Sequence, residues 1–487
     1  MTDFEKSNDV KIDIISEEED TTTLSEAHKQ YLIAKHGRYD LVPLPSMNDD
    51  DPLNWSPWFK HLQLGMVATH GFFGTFFASG LVPSFGKLSE ELELPTSQIA
   101  YLTSAQIVIL GFFPLVWVPL MNKYGKRKLL ILSVVGSMCF NLGCVFSKTY
   151  GTLMAMRCLV AFFISPGLAV GGSIVHETTF SHQRGSRSGV WALMVNLGTM
   201  AGALFMGFVA QYQDVKYVFV VFTVMNFVQI FFYVFLGKET LYNYEDLSRN
   251  EPNRFKQLTS FSAIIPERKF NFPTVAAPFK LFGNWRVFIA ALAYGVCFMH
   301  DNIATNVEIP QVMYIKFQLG PQALGLQFLS FIVGSLIGEV GGWLSDKWVQ
   351  WGRKNNCGNS FRIWITYPGF ITSIIGIVEF GVQIDRAEHK WNITPLIGLA
   401  ISAFGFQILT SPLIAYSMDT TPTRASEVAL FMTMMRQTLG FIGPFYYPIM
   451  FENMGFTRAY GLMAGLMAAL AFIPVLFMHL YEARKGR

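Results

Sequence analysis

Apolar residues in this chain fall in long runs set apart by short polar loops. The runs lie at about 59–82, 97–121, 129–147, 152–176, 188–211 and 217–236, and again at about 286–314, 322–345, 362–382, 393–417, 427–450 and 457–481. Each is close to the roughly 20 apolar residues a helix needs to cross a bilayer, and in lipid a helix satisfies its own backbone hydrogen bonds. The pattern predicts an all-α membrane protein: twelve transmembrane helices in two pseudo-symmetric six-helix bundles, 59–236 and 286–482. Residues 237–285 are too polar to span and read as a linker. Residues 1–58 read as a mostly disordered tail, and 483–487 as a short C-terminal end.

Composition narrows the function. Of 487 residues 51% are hydrophobic and 15% charged, against about 25% charged in soluble proteins, which excludes an ordinary soluble enzyme. A net charge of +3 is too mild for nucleic-acid binding. Cys139, Cys144, Cys158, Cys297 and Cys357 are scattered without metal-ligand spacing, so neither a disulfide framework nor a zinc site is read. Nucleotide-binding, zinc-protease and nucleophile-elbow motifs do not occur. The expectation is a non-enzyme without cofactor, driven by an ion or solute gradient.

Basic residues set the orientation. With the N-terminus inside, the short inner loops carry eleven Lys or Arg and the outer loops seven, which makes both termini cytosolic. The halves also echo each other, as duplicated transporters do. Glu177-Thr178-Thr179 with Arg184 follows the fourth run, and Asp419-Thr420-Thr421 with Arg424 the tenth. Asn122 to Arg127 closes the second, and Asp346-Lys347 with Gly352-Arg353-Lys354 the eighth.

Six spans, a linker, six spans and the basic Gly125-Lys126-Arg127-Lys128 turn resemble the major facilitator superfamily over nearly all of the chain after residue 50. Asp51 to Lys60 (DPLNWSPWFK) and Lys238-Glu239-Thr240 resemble its fungal twelve-span drug:proton antiporters. The VPLPS and NDDDPLNW segments and Pro119 to Gly125 are similar to the cation and polyamine transporter subgroup. Departures matter: the resemblance implies Asp where Asn122 stands, which weakens an inner gate, and Gly198-Thr199 and Gly202-Ala203 lack the prolines of the antiporter repeat. Leu153 to Arg157 keeps the start of the fourth-span motif, but Val160 and Ala161 stand where the resemblance implies Gln and Gly. The resemblance implies that spans one, four, seven and ten line a central cavity, a plasma-membrane location and a monomer.

A charge at the bilayer centre costs at least about 2.5–3.5 kcal/mol, so the few ionisable groups inside the runs are the candidates. His70, Arg157, His300, Asp301 and Glu308 are placed on the cavity-lining spans, and Glu339 and Arg436 on the eighth and eleventh. At α-helical spacing Asp301 and Glu308 share one face, with Asn302 and Asn306 at its margins. A carboxylate in low dielectric can exchange a proton near neutral pH or pair with an ammonium ion. Against this stand blander readings: Asp301 paired with His70 or His300, Glu308 solvated at a helix end, Glu339 paired with Arg436, and Arg157 snorkelling to the interface. Asn122, Asp346, and the pairs Glu177 with Arg184 and Asp419 with Arg424 are read as gating contacts. The Phe72-Phe73 and Phe76-Phe77 stripe reads as packing, with Tyr294, Trp191, Tyr416, Tyr446 and Tyr447 as better cation partners.

The expected activity is proton-coupled transport of a small organic cation by alternating access. An exporter of neutral hydrophobic drugs, a carrier of an anionic metabolite and a non-transporting receptor remain open.

Overall fold

The computed structural model describes residues 24–244, 264–265, 270, 272–354, 359–387, 390–421 and 424–485. About half of the linker lies outside them, and so do the side chains of Arg184, Glu308 and Asp346. Among the described residues the chain is helical throughout, with no strand. Ten helices among the described residues are long and apolar enough to cross a membrane, and eleven if the bent pair Thr96–Phe112 and Pro114–Tyr124 counts as one span. The predicted run not among them is the eleventh, Ala425–Met454. It is long enough, but Thr433, Arg436, Gln437 and Thr438 dilute its apolar character.

Breaks in the spans follow from sequence. The second bends by 41° where Pro114 follows Phe112 and Phe113, because proline removes a backbone donor and clashes with the preceding turn. The fourth divides at Ser165-Pro166 into Tyr150–Ile164 and Gly167–Thr178. The first span, Pro57–Ser79, starts with Ser56 as N-cap and proline at its first position, a helix-entry signal. The seventh was not foreseen in detail: Trp285–Cys297 passes into an eleven-residue π-helix, Phe298–Glu308, before Ile309–Phe317. Its i→i+5 bonding differs from the α-helical spacing on which the shared face of Asp301 and Glu308 rests, and the side chain of Glu308 lies outside the described residues.

Where backbones cross closely, glycine makes room. Gly198 and Gly202 of the fifth span, Ser181–Tyr212, press on the first. A Cβ there would come within 2.3 Å of Thr75 Oγ1 and of Ser79 Oγ respectively. Spans one and five therefore touch through these two glycines. Gly334 and Gly338 of the eighth span, Pro321–Lys354, likewise abut the Ala400 and Phe404 carbonyls of the tenth, Thr394–Thr420. The phenylalanine stripe packs as expected, Phe73 stacking on Phe77 at 5.6 Å and Phe77 meeting Phe222 at 4.6 Å.

The two bundles meet through the fifth and eighth spans and through the second and eleventh. Farthest from the N-terminus the seam is tight. Tyr101 stacks on Phe445 at 5.0 Å, Tyr212 donates to Gln322 at 3.0 Å, and Gly207 lies on Pro321 and Gly325.

The tail departs from the expected disorder over residues 24–56. Ser25 caps a helix, Glu26–His36, that ends on Gly37 in the left-handed conformation. Leu32, Leu41, Leu53 and Phe180 then form a small core of their own. Sequence composition underestimated this segment because its apolar residues bury against the loop after the fourth span rather than against one another alone.

Candidate functional site

Three polar assemblies stand out, one at the tail side of the molecule and two at membrane depth.

At the tail side the DPLNWSPWFK and Lys238-Glu239-Thr240 motifs meet. Asp51 is fully buried and accepts from Ser46 N (2.7 Å), Leu53 N (2.9 Å) and Tyr244 Oη (3.3 Å). Lys238 pairs with Asp50 at 2.9 Å. Glu239 caps the third span, Lys126–Val145: its carboxylate accepts from Lys126 N at 2.8 Å, Arg127 N at 3.0 Å and Leu241 N at 3.0 Å. Burial pushes this carboxyl above the usual range, and the three backbone donors oppose that push. Gly125, at φ 104°, lets the carboxylate approach, since a Cβ would sit 2.7 Å from Glu239 Oε2. Asn122 is half-buried in the last turn of the second span. Beside it the Lys123 carbonyl accepts from the linker amides of Ile264 and Ile265.

The gating contacts are rearranged relative to expectation. Glu177 pairs with the buried Lys126, which also donates to Ser173 at 2.9 Å. Asp419 lies 3.5 Å from Arg362, and Arg424 turns instead to Glu427 and the Ala277 carbonyl. In each half, then, the acid ending the fourth or tenth span reaches a basic group following the second or eighth. Arg424 meets Glu427 rather than Asp419 because it opens the next helix, Ala425–Met454, whereas the side chain of Arg184 lies outside the described residues.

Asp301, at the heart of the second bundle, has no exposed surface. Ser373 of the ninth span donates to Oδ2 and Ser402 of the tenth to Oδ1, both at 2.6 Å. Neither His70 nor His300 is its partner, and among the described residues no basic group pairs with it. The carboxylate points into its own bundle rather than into the gap between bundles. His300 instead meets Tyr447 Oη at 3.1 Å through Nδ1, and His70 meets Tyr233 Oη at 3.1 Å. Each tyrosine hydroxyl also lies within reach of a backbone carbonyl, Met299 at 2.8 Å and Met66 at 3.4 Å, which leaves the second nitrogen of each ring, Nε2. Those two Nε2 atoms make no hydrogen bond among the described residues.

A narrow cavity between the bundles is lined by Thr75, Ser79, Phe298, Asn306, Val307 and Gln437 among others. It holds about 30 Å³, room for about two waters, so in this conformation the bundles are closed on each other there. The π-helix serves both places: Asp301 faces spans nine and ten, while Phe298, Asn306 and Val307 face the cavity. Asn302 is buried and accepts weakly from Asn306 at 3.5 Å.

Glu339 does not pair with Arg436. Its Oε2 accepts from Gln407 Nε2 at 2.7 Å, and Gln407 Oε1 accepts from Asn196 Nδ2 at 3.0 Å. Arg436 donates to Tyr294 Oη at 2.9 Å and lies 4.8 Å from the Phe298 ring centroid. Arg157 does not snorkel, having no exposed surface. It grips the end of the first span through the Phe77 carbonyl at 2.8 Å and the Ala78 carbonyl at 3.3 Å. Sequence reasoning missed Ser373, Ser402 and Gln407, since a serine or glutamine in an apolar run is ordinary until a carboxylate is found beside it. The capping role of Glu239 likewise has no sequence signal, because the Lys126 and Arg127 amides it accepts from are more than a hundred residues away.

Comparison with known proteins agrees with this architecture. The chain is 25% identical over 444 residues to the efflux pump vrtL of Penicillium aethiopicum, covering 88% of this chain and 87% of that protein. It is 20% identical over 409 residues to the probable efflux pump mfs2 of Aspergillus flavus, covering 80% and 95%. The crystal structure of the human organic anion transporter MFSD10 (TETRAN) superposes with a TM-score of 0.60 at 13% identity, over 86% of this chain and all of that one, a likeness of fold. Residues 67–444 match the family model for the Major Facilitator Superfamily; the chain belongs to that family, as a multi-pass membrane transporter of the secondary type and not an enzyme.

Proposed function

We propose that the protein exchanges a small organic cation for protons across a fungal plasma membrane by alternating access, as a monomer with both termini in the cytosol. Asp301 carries this reading. An ionised carboxylate enclosed without a counter-charge costs several kcal/mol, so where only two serine hydroxyls reach it the group holds a proton. Losing that proton favours a conformation that admits water or a cation, and gaining it favours the closed one. Proton binding thus acts differently on two states, which is what coupling requires. Two fungal relatives are named efflux pumps, which favours export, and the sequence motifs favour the cation and polyamine subgroup. An anionic substrate would be anchored by Arg157 or Arg436; Arg157 is spent on two carbonyls, which leaves that second reading to Arg436, bonded to Tyr294 Oη.

The test is uptake into proteoliposomes under an imposed pH gradient, with spermidine, a monovalent organic cation, a neutral drug and a carboxylic acid side by side. Cation flux is expected to follow the gradient, and Asp301→Asn to abolish that dependence while leaving the protein folded. Flux of the acid alone refutes the substrate class, and flux indifferent to the gradient refutes proton coupling.

A further inference from the structure

Two carboxylates of the second bundle sit at membrane depth and differ in what can reach them. Asp301 is enclosed with both oxygens engaged, so nothing larger than a proton arrives. Glu339 is half-buried. On its helix Val333, Leu336, Ile337, Val340 and Leu344 make the exposed face, and at 3.6 residues per turn Glu339 is turned roughly 115° from the middle of that face, toward the fifth span. Its Oε1 lies against Gly189, where a Cβ would come within 2.8 Å. Its Oε2 holds the Gln407 amide, whose other end is held by Asn196. Glu339 and Gln407 belong to the second bundle, Gly189 and Asn196 to the first. The carboxylate therefore stands at the seam.

We propose that Glu339 binds the positive end of the substrate, and that a bound ammonium displaces the Gln407 amide and with it the Asn196–Gln407 bond between the bundles. The proposal rests on the transport reading above and adds which carboxylate takes which cation. An ammonium is a charged donor, and its bond to a carboxylate is roughly twice as strong as a neutral one. It replaces the amide on Oε2, and the missing side chain at Gly189 leaves Oε1 open to it as well. Gln407, without its acceptor, no longer presents Oε1 to Asn196. Substrate occupancy is thereby tied to a bond that alternating access has to break, and the proton on Asp301 and the solute on Glu339 occupy separate places in one bundle.

The test uses the purified full-length protein in nanodiscs without a pH gradient, with hexylammonium as probe and hexanol and hexanoate as controls. Wild type is expected to bind hexylammonium over both controls. Glu339→Gln should weaken binding by about tenfold or more, the worth of a charge-assisted hydrogen bond. A Glu339→Gln protein that binds as tightly as wild type overturns the assignment while proton coupling through Asp301, read from flux, still stands. Absence of hexylammonium binding to wild type overturns the cationic-substrate reading beneath it. If Glu339→Gln does not fold, Gln407→Leu decides. It keeps the carboxylate and removes the competing amide, so hexylammonium should bind several-fold tighter, and unchanged or weaker binding overturns the displacement.

Discussion

Alanine at Gly325 is expected to prise apart the side of the seam farthest from the N-terminus. The eighth span crosses the fifth there with almost no space: a Cβ on Gly325 would lie 2.9 Å from the carbonyl oxygens of both Ala203 and Leu204, and one on Gly207 would lie 2.7 Å from the Pro321 carbonyl. These are backbone atoms and cannot swing aside. Overpacking of this kind costs about 1–3 kcal/mol, and the strain exists only while the seam is closed. The closed conformation is therefore disfavoured by that amount relative to the open one, a shift of about 5- to 150-fold in their ratio. Spin labels at Gln213 and Arg458, both exposed at that end, in a background lacking native cysteines, would read the separation of the bundles. Gly325→Ala should transfer population to the longer distance. Gly202→Ala is the control, because its neighbour Ser79 belongs to the same bundle; it should lower thermal stability without moving the distance. An unchanged distance distribution in Gly325→Ala, alongside a loss of stability equal to that of Gly202→Ala, refutes the reasoning and makes the crossing a static packing contact.

Two further outcomes follow from buried polar groups. Glu239→Ala removes the acceptor for two backbone N–H groups at the start of the third span and for that of Leu241, and at about 1 kcal/mol per bond should cost about 3 kcal/mol in a detergent unfolding assay; a loss below about 1 kcal/mol contradicts the capping role. Arg157→Lys keeps the charge but cannot hold the Phe77 and Ala78 carbonyls together, since a lysine lacks the planar fork. It should cost about 1.5–3 kcal/mol, the weight of one charged hydrogen bond, and a thermal midpoint equal to wild type speaks against it.

The sequence alone determined the architecture, because membrane insertion depends on a quantity that one-dimensional order records: how many consecutive residues are apolar. It also named Asp301 and Glu339, since a charge in such a run is conspicuous on its own. It did not determine what those charges touch. Asp301 meets serines 72 and 101 positions away, and Glu339 reaches Asn196 of the other bundle only through Gln407. The pair read from nearness in sequence, Asp419 with Arg424, gave way to Arg362 for the acid and Glu427 for Arg424, and Glu177 reaches the distant Lys126. The π-helix of the seventh span was equally invisible, for its residues are compatible with an ordinary α-helix. Hydrophobic periodicity fixes which segments lie in lipid, whereas hydrogen bonds and ion pairs act over about 3 Å, a scale that only the packing of one helix on another decides.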